Sequence, residues 1–236
     1  MTLEAIVGFL QDGSKFLTWV NLLELDEWEE EFGMAIASPL SFACLNGLEA
    51  TARRLILDGA DINAPGAYHG SPLRGAALRG EEAIVQLLLD QGADVNAQSD
   101  SHGSALLAAS KNGHRTVVQL LLTHGADVNS MNSCYGSALA AAIDQGDNAT
   151  AQLLLDHGAE ASDIALYNAS WSGNEAMVRL LLEHGADVNS TVDPVGSVLQ
   201  AAVKKGHETI IQLLQEHGAE MNMGDAAHSR RQLQRQ

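Results

Sequence analysis

The nine histidines are the first residues whose type and spacing suggest chemistry, because neutral imidazole is a common metal ligand. Four of them recur at intervals of 33, 27 and 33 residues, as His124, His157, His184 and His217. Each precedes a glycine, which is typical of a helix C-terminus, where a polar or cationic side chain interacts favourably with the helix dipole. His114 and His207 each follow a glycine and are interpreted in the same way. Regular spacing keeps these side chains about one structural repeat apart, so they are not expected to converge on a metal ion.

Other patterns of catalytic or cofactor-binding residues are missing from the sequence. Cys44 and Cys134 are the two cysteines, and no metal-binding spacing or disulfide framework surrounds them, so we expect inert thiols. The sequence has no Gly-x-Ser-x-Gly elbow, no His-Glu-x-x-His pair and no phosphate-binding Gly-x-x-x-x-Gly-Lys-Ser/Thr loop. We therefore expect a protein that is not an enzyme and that holds no cofactor or metal.

The charge balance disfavours polyanionic partners. The formal net charge is −17, from 30 acidic and 13 basic residues. Such a surface repels phosphate backbones and anionic lipid headgroups, so we expect neither a nucleic acid nor a membrane as partner. No apolar run approaches the roughly 18 residues of a membrane span, and residues 1–10 lack the basic segment of a secretory signal. We expect an intracellular, cytoplasmic and monomeric protein.

An internal repeat defines the elements that must position these residues. The run Gly-Ala-Asp-Val-Asn or a variant of it begins at Gly59, Gly92, Gly125, Gly158, Gly185 and Gly218. Another glycine lies twelve residues before each of these, and a leucine lies seven residues before that glycine. The leucines are Leu40, Leu73, Leu106, Leu139, Leu166 and Leu199. Three landmarks that recur six times in fixed register indicate a repeat protein.

Each landmark has a physical role in a pair of short helices. A serine such as Ser71 precedes most of the leucines by two residues and can cap the first free amide groups of a helix. Pro39 and Pro72 stand at the first helical position, which tolerates a missing N–H. The next glycine ends this first helix in a left-handed conformation. A second helix follows, for example over residues 116–124, where apolar residues recur at helical spacing. The sequence therefore predicts an all-α fold of six helix-turn-helix repeats.

This pattern resembles the ankyrin repeat, whose elements Thr-Pro-Leu-His-x-Ala, Gly, Leu-Leu and Gly-Ala-Asp-Val-Asn are matched across roughly residues 35–222. The family histidine is replaced by Ser41, Arg74, Leu107, Ala140, Tyr167 and Gln200. The resemblance implies an ankyrin-repeat solenoid, a non-catalytic adaptor or scaffold module that binds a partner protein through its concave face.

A finer resemblance suggests an alternative function. The variants His102-Gly103-Ser104-Ala105-Leu106 and Tyr135-Gly136-Ser137-Ala138-Leu139 are similar to the ankyrin arrays of filamentous fungi. Such arrays often lie C-terminal to a nucleotide-binding NACHT domain. The alternative is therefore the sensor part of a larger NACHT-type signalling ATPase, present here as a fragment.

The register of the repeats predicts the domain boundaries. The six repeats are predicted at 35–67, 68–100, 101–133, 134–160, 161–193 and 194–222. Residues 1–34 are expected to form an N-terminal helical capping segment, or alternatively a partner-binding helix anchored by Trp19 and Trp28. Residues 223–236 are expected to form a polar tail. The fourth repeat is six residues short, which predicts a missing turn and a gap before the fifth repeat.

Candidate partner-binding residues follow from the same register, because positions that the core does not dictate can carry specificity. The candidates on the first helices are Leu45, Leu78, Arg79, Lys111, Asp144, Tyr167, Trp171, Lys204 and Lys205. The candidates at the turn tips are Tyr68, His102 and Tyr135. Trp171 follows the missing turn and is open to two interpretations. Either it is a binding anchor, or it folds over and fills the space that the absent residues leave.

Overall fold

The computed structural model describes residues 38–65, 70–99, 102–133, 136–192 and 196–220. The predicted capping segment, the polar tail, Tyr68 and Tyr135 lie outside these described residues. The chain divides into two compact units, residues 1–138 and 139–236.

Unit one contains three pairs of helices within its described residues. They are α1 Pro39–Leu45, α2 Glu49–Leu57, α3 Pro72–Arg79, α4 Glu82–Asp90, α5 Ala105–Lys111 and α6 Arg115–Thr123. The first helices of successive pairs pack together, α1 on α3 and α3 on α5. The second helices do the same, α2 on α4 and α4 on α6. The predicted helix-turn-helix repeat is therefore confirmed in this unit.

Unit two is built in the same way, and its boundary with unit one falls at the start of its first helix. Its described helices are α7 Ala138–Asp144, α8 Asn148–Asp156, α9 Asp163–Ser172, α10 Glu175–Glu183, α11 Val198–Lys205 and α12 Glu208–Glu216. Helix α9 packs on α11, and α10 packs on both α8 and α12. Two short antiparallel strands, β1 Thr191–Val192 and β2 Gly196–Ser197, lie in the turn between α10 and α11. These strands are the one departure from an all-helical structure in the described part of this unit.

Four of the predicted serine caps are present. The hydroxyls of Ser38, Ser71, Ser104 and Ser197 each accept a hydrogen bond from the backbone N–H three residues later, at 3.1–3.3 Å. Helices α1 and α3 begin at the expected prolines. The two repeat glycines have φ between +68° and +89° in all six repeats, so the left-handed conformation that glycine favours ends each helix.

The core of each repeat is a thin layer of leucine and alanine. The six landmark leucines of the first helices are at most 2% exposed. They are Leu40, Leu73, Leu106, Leu139, Leu166 and Leu199. Each buried leucine side chain stabilises the fold by about 1.5–3 kcal/mol relative to an exposed one. The stack thus holds without a large aromatic core, in agreement with the low aromatic content of 4%.

The shortened fourth repeat is visible as a direct connection between two helices. Residues 157–162 join α8 to α9, whereas residues 184–197 join α10 to α11. Ser162 caps α9 by accepting from the N–H of Ala165 at 3.3 Å. This cap lies four residues before the landmark Leu166, whereas the other serine caps lie two residues before their leucines. Helix α9 therefore begins earlier relative to its leucine than the other first helices do, and it is ten residues long.

Candidate functional site

The last turns of the first helices present side chains that the core does not use. Arg79, Lys111, Asp144, Lys204 and Lys205 are exposed. Leu45, Leu78, Tyr167 and Trp171 are half-buried, as is His102 in its turn. These side chains are available for contact with a partner, and their role in binding stays a prediction.

Four of the predicted residues lie together in unit two, and we call them the Trp171 cluster. Tyr167 stacks on Trp171 from one turn earlier in α9, with ring centroids 6.2 Å apart and planes inclined by 16°. From the next repeat, Lys205 Nζ lies 4.1 Å and Lys204 Nζ lies 5.5 Å from the centroid of the Trp171 ring. A cation this close to an indole is attracted by its negative face, by about 0.5–1 kcal/mol at an exposed site.

The two lysines also stand out in the charge balance of unit two. Residues 139–192 and 196–220 contain three Lys or Arg residues, namely Arg179, Lys204 and Lys205. Arg179 is paired with Glu175 one turn away, with 3.1 Å between Nη2 and Oε1. Among the described residues, neither lysine has a carboxylate oxygen within 4.0 Å. The cations of this region that lack an ion pair are therefore concentrated on one indole ring.

A histidine from the following repeat fixes the backbone beneath Trp171. His207, at the start of α12, donates from Nε2 to the Trp171 carbonyl oxygen at 3.2 Å. Its ring covers Gly173, where an added Cβ would lie 2.6 Å from His207 Cε1. The left-handed glycine therefore also provides the space that the imidazole occupies. This contact fixes the end of α9 against the next repeat.

The same arrangement occurs in unit one. His114 donates from Nε2 to the Leu78 carbonyl oxygen at 3.1 Å, and a Cβ on Gly80 would lie 2.5 Å from its Nδ1. The prediction that His114 and His207 serve helix C-termini holds, but the helix belongs to the preceding repeat. A partner 36 residues away could not be identified from the sequence next to these histidines.

The four histidines that precede glycines are confirmed as helix C-caps. Each donates from Nδ1 to the carbonyl oxygen four residues earlier, at 2.8–2.9 Å. They are His124, His157, His184 and His217. Within the described ranges, no group of three or more His, Cys, Asp or Glu residues is arranged to hold a metal ion.

The asparagine of the Gly-Ala-Asp-Val-Asn run links successive repeats, a role that the sequence analysis missed. In unit one, Asn96 accepts from the Asp127 N–H at 2.8 Å and donates to the Gly125 carbonyl at 3.2 Å. In unit two, Asn189 makes the corresponding bonds to Glu220 and Gly218, at 2.9 and 3.2 Å. The recurrence of this asparagine at a fixed place in the run was the sequence signal that could have indicated its linking role.

The junction after the short repeat uses different polar links. Ser162 stands where the linking asparagine would be, and it caps α9 instead. Asn174 donates from Nδ2 to Asn148 Oδ1 at 2.9 Å, and His184 Nε2 lies 3.5 Å from Asp156 Oδ1. Where the turn is missing, these side-chain contacts take the place of the asparagine link between repeats.

His102 is held by a buried arginine that the sequence analysis did not single out. Arg74 is 6% exposed and donates from Nε and Nη2 to the His102 carbonyl oxygen, at 3.3 and 3.1 Å. Burial lowers the pKa of His102, and the charges of Arg74 and Lys111 lower it further. These surroundings therefore favour the neutral imidazole over the charged form. A charged residue among the apolar residues of the first turn of this helix was the signal for this contact.

Two further features could have indicated small-molecule chemistry. The Cys44 thiol is buried, and burial raises its pKa to about 12, so it is inert as expected, whereas Cys134 lies outside the described residues.

A cavity of about 310 Å³ lies between α1 and α2 and the turn that follows. Its carboxylates are already engaged, because Asp58 pairs with Arg54 and Asp61 accepts from the Asn63 N–H.

The described residues thus define a class of protein, a repeat stack of short helix pairs that displays side chains on the last turns of its first helices. A family model for ankyrin repeats in three copies matches residues 40–132, 73–164, 106–192 and 138–225. The chain belongs to the ankyrin-repeat family.

Solved structures agree with this assignment. The ankyrin repeat domain of human ASB11 is 27% identical, with a TM-score of 0.66 over 78% of this chain and 86% of that one. An ankyrin repeat domain from Acinetobacter baumannii AYE is 30% identical, with a TM-score of 0.70 over 77% of this chain and 98% of that one. Comparison with curated protein sequences gives no match.

The family assignment sets the general type of function. Ankyrin repeats are protein-interaction modules, and domains of this kind are generally non-catalytic. None of the helices in the described residues has the length and apolarity needed to cross a lipid bilayer.

Proposed function

We propose that this chain is a non-catalytic adaptor or scaffold module, and that it binds its partner protein through the exposed side of its first helices. The Trp171 cluster is the main contact within unit two. The proposal includes a monomeric chain that acts in the cytoplasm and binds neither nucleic acid nor membranes. Light scattering on the purified chain tests the monomeric state.

One observation carries this proposal: the Trp171 cluster joins two aromatic rings and two cations on a fixed backbone without serving the core. Tryptophan and tyrosine are enriched among the residues that dominate binding energy at protein interfaces. The landmark leucines of the first helices are buried, whereas Trp171 is half-buried, so part of its ring is available for contact. An indole that half-protrudes from the last turn of α9 is therefore best explained by contact with another protein.

Chemical cross-linking in cells that produce the protein provides the test. The chain has four lysines, at positions 15, 111, 204 and 205, so an amine-reactive cross-linker reports few positions. We expect partner cross-links at Lys204 and Lys205, identified by mass spectrometry. Trp171→Ala should then weaken binding of the purified partner by about tenfold or more, as expected for an anchor residue.

Ile164→Ala is the matched control, since this residue lies on the same helix and is 58% exposed but is not part of the cluster. It should leave the affinity unchanged. Equal affinities of the wild-type chain and the Trp171→Ala variant, with both folded, would contradict the proposal. So would partner cross-links confined to the lysine at position 15.

The alternative function, the sensor part of a larger NACHT-type signalling ATPase, rests on the similarity of two turn sequences to fungal arrays. It uses the same face for recognition and differs in what lies upstream in the gene. Sequencing of the source transcript decides between them: a phosphate-binding loop encoded in frame supports the alternative, and its absence there favours the adaptor.

A further inference from the structure

We infer that the Trp171 cluster recognises an acidic segment of the partner protein, with carboxylates on Lys204 and Lys205 and an apolar or aromatic side chain against Trp171. This inference rests on the proposed function and specifies the chemistry of the partner.

Charge complementarity is the first argument. The chain carries a net charge of −17, yet the two cations of unit two that lack an ion pair among the described residues lie side by side at the end of α11. Arg53, Arg54 and Arg179 are all neutralised by acids one turn away. Among the described residues of unit two, Lys204 and Lys205 are thus the place where an incoming carboxylate meets uncompensated positive charge. Electrostatic complementarity of this kind selects partners and fixes their register.

The geometry of the lysines is the second argument. Both ammonium groups lie within 5.5 Å of the Trp171 ring centroid, which restricts two otherwise flexible side chains. Each Nζ has three N–H donors, and attraction to the ring leaves donors for a carboxylate. Because these lysine side chains are restricted before binding, they lose less conformational entropy when a partner engages them.

The backbone beneath the cluster is fixed as well. His207 holds the Trp171 carbonyl oxygen, and Gly206 ends α11 directly after Lys205. Asn189 ties the preceding turn to the last repeat. The aromatic rings from α9 and the lysines from α11 are therefore presented together as one rigid surface.

An acidic protein segment fits this surface better than a nucleic acid does. A phosphate backbone carries one negative charge per residue over its whole length, and the acidic surface outside the cluster repels it. A short segment with two or three carboxylates can place them on the lysines, and physiological salt screens its charges from the acids more than about 8 Å away. An aromatic residue between the carboxylates would pack against the exposed part of Trp171.

The test measures binding of a labelled synthetic peptide, with two glutamates on each side of one tryptophan, to the full chain by fluorescence anisotropy. A peptide with glutamine in place of each glutamate is the matched probe, and a single-stranded oligonucleotide of equal charge is the second comparison. We expect saturable binding of the glutamate peptide that weakens in about 0.5 M NaCl, and at least about tenfold weaker binding of the other two probes.

Lys204→Gln together with Lys205→Gln should weaken binding of the glutamate peptide by about tenfold or more, because charge-assisted contacts are lost. Lys204→Arg with Lys205→Arg keeps the charge and should keep the binding. The control is Arg115→Gln with Arg179→Gln, which removes the same net charge from exposed positions on second helices. This control variant should bind as the wild type does. Circular dichroism establishes that each variant is folded.

Three results would overturn the inference: equal binding of the glutamate and glutamine peptides, equal weakening by both charge-removing pairs, or tighter binding of the oligonucleotide. Each leaves the proposed function standing if the cross-linked partner still depends on Trp171. A partner that binds independently of Trp171, with the glutamate peptide still bound at the lysines, contradicts the proposed function instead.

Discussion

Two junctions between repeats have the same backbone links and different surfaces. Between the second and third repeats, His114 holds the Leu78 carbonyl, and Asn96 joins the following turn. Between the fifth and sixth repeats, His207 and Asn189 make the corresponding bonds. The distances agree within 0.1 Å, from 3.1 to 3.2 Å for the histidine bond and from 2.8 to 2.9 Å for the bond to the Asn Oδ1. The links between repeats are thus fixed by the register.

The side chains above these links differ. Trp171 takes the place of Leu78, and Lys205 takes the place of Asn112. Tyr167 stacks on Trp171, whereas its counterpart Arg74 is buried and binds a carbonyl of the next turn. In these two junctions the repeat sequence determines how the repeats are joined, while a few positions on the first helices determine what each junction presents to a partner.

The largest expected effect comes from the glycine beneath the histidine. Gly173→Ala in unit two and Gly80→Ala in unit one should each lower the free energy of unfolding by about 2–4 kcal/mol. The new Cβ would be strained at positive φ and would displace the imidazole from its carbonyl. Gly206→Ala and Gly113→Ala have open space at the same place in the repeat and should lose only about 1 kcal/mol. Urea denaturation measures all four, and equal losses in every variant would show that the histidine contact is not what distinguishes these positions.

Removal of the linking asparagine should have a smaller effect that is equal in both junctions. Asn189→Ala and Asn96→Ala each lose one accepted and one donated hydrogen bond, which corresponds to about 1–2 kcal/mol of unfolding free energy. Asn168→Ala, at an exposed position of α9, should change it by less than about 0.5 kcal/mol. The same urea titration checks the three variants. A loss of unfolding free energy for only one of the two asparagine variants would show that the two junctions are not equivalent.

Trp171→Ala decides between the two interpretations of this residue. If the indole lies on the surface and interacts with Tyr167, Lys204 and Lys205, its removal should reduce the unfolding free energy by about 1–2 kcal/mol. Leu78→Ala at the matching half-buried place should cost about 1 kcal/mol. A loss of about 3–5 kcal/mol for the tryptophan would instead indicate that it fills the space of the missing turn.

The smallest effect is expected from Ser110 and Ser170, which are two of the three serines whose buried hydroxyl oxygens have no hydrogen-bond partner among the described residues. Replacing either by alanine removes an unsatisfied polar group, so the free energy of unfolding should stay the same or rise by up to about 1 kcal/mol. Ser197→Ala is the contrasting variant, because it removes a helix cap and should cost about 1 kcal/mol. Destabilisation by Ser170→Ala equal to that of Ser197→Ala would imply that its hydroxyl is bonded after all.

Most of the fold could be predicted because the repeat makes each local signal appear several times. The left-handed glycines and buried leucines are present in all six repeats, and serine caps are present at four of the register positions, while α9 is capped two residues earlier. The contact of His207 with Trp171 could not be predicted, since it joins residues 36 positions apart and depends on how one repeat lies on the next. The stacking of repeats also explains why the linking role of Asn189 was missed.

For the candidate site, the sequence predicted which residues lie outside the core but not how their side chains are arranged. Counting from the repeat glycines identified Trp171, Lys204 and Lys205 as positions outside the core, but the register does not give side-chain directions. The structure brings these side chains and Tyr167 within reach of one another, while Asp144, Lys111 and Leu45 lie on other repeats. Arg74 shows the opposite case, where a residue at an equivalent position serves the structure of the turn.

The most direct test exchanges the surface of one junction for that of the other while keeping the links beneath. Trp171→Leu with Lys205→Asn gives the fifth junction the residues of the second, and equilibrium titration measures its affinity for the cross-linked partner segment. We predict that the affinity falls by about tenfold or more, while the free energy of unfolding changes by less than about 2 kcal/mol. An unchanged affinity in this folded variant would contradict the claim that the Trp171 cluster carries the binding.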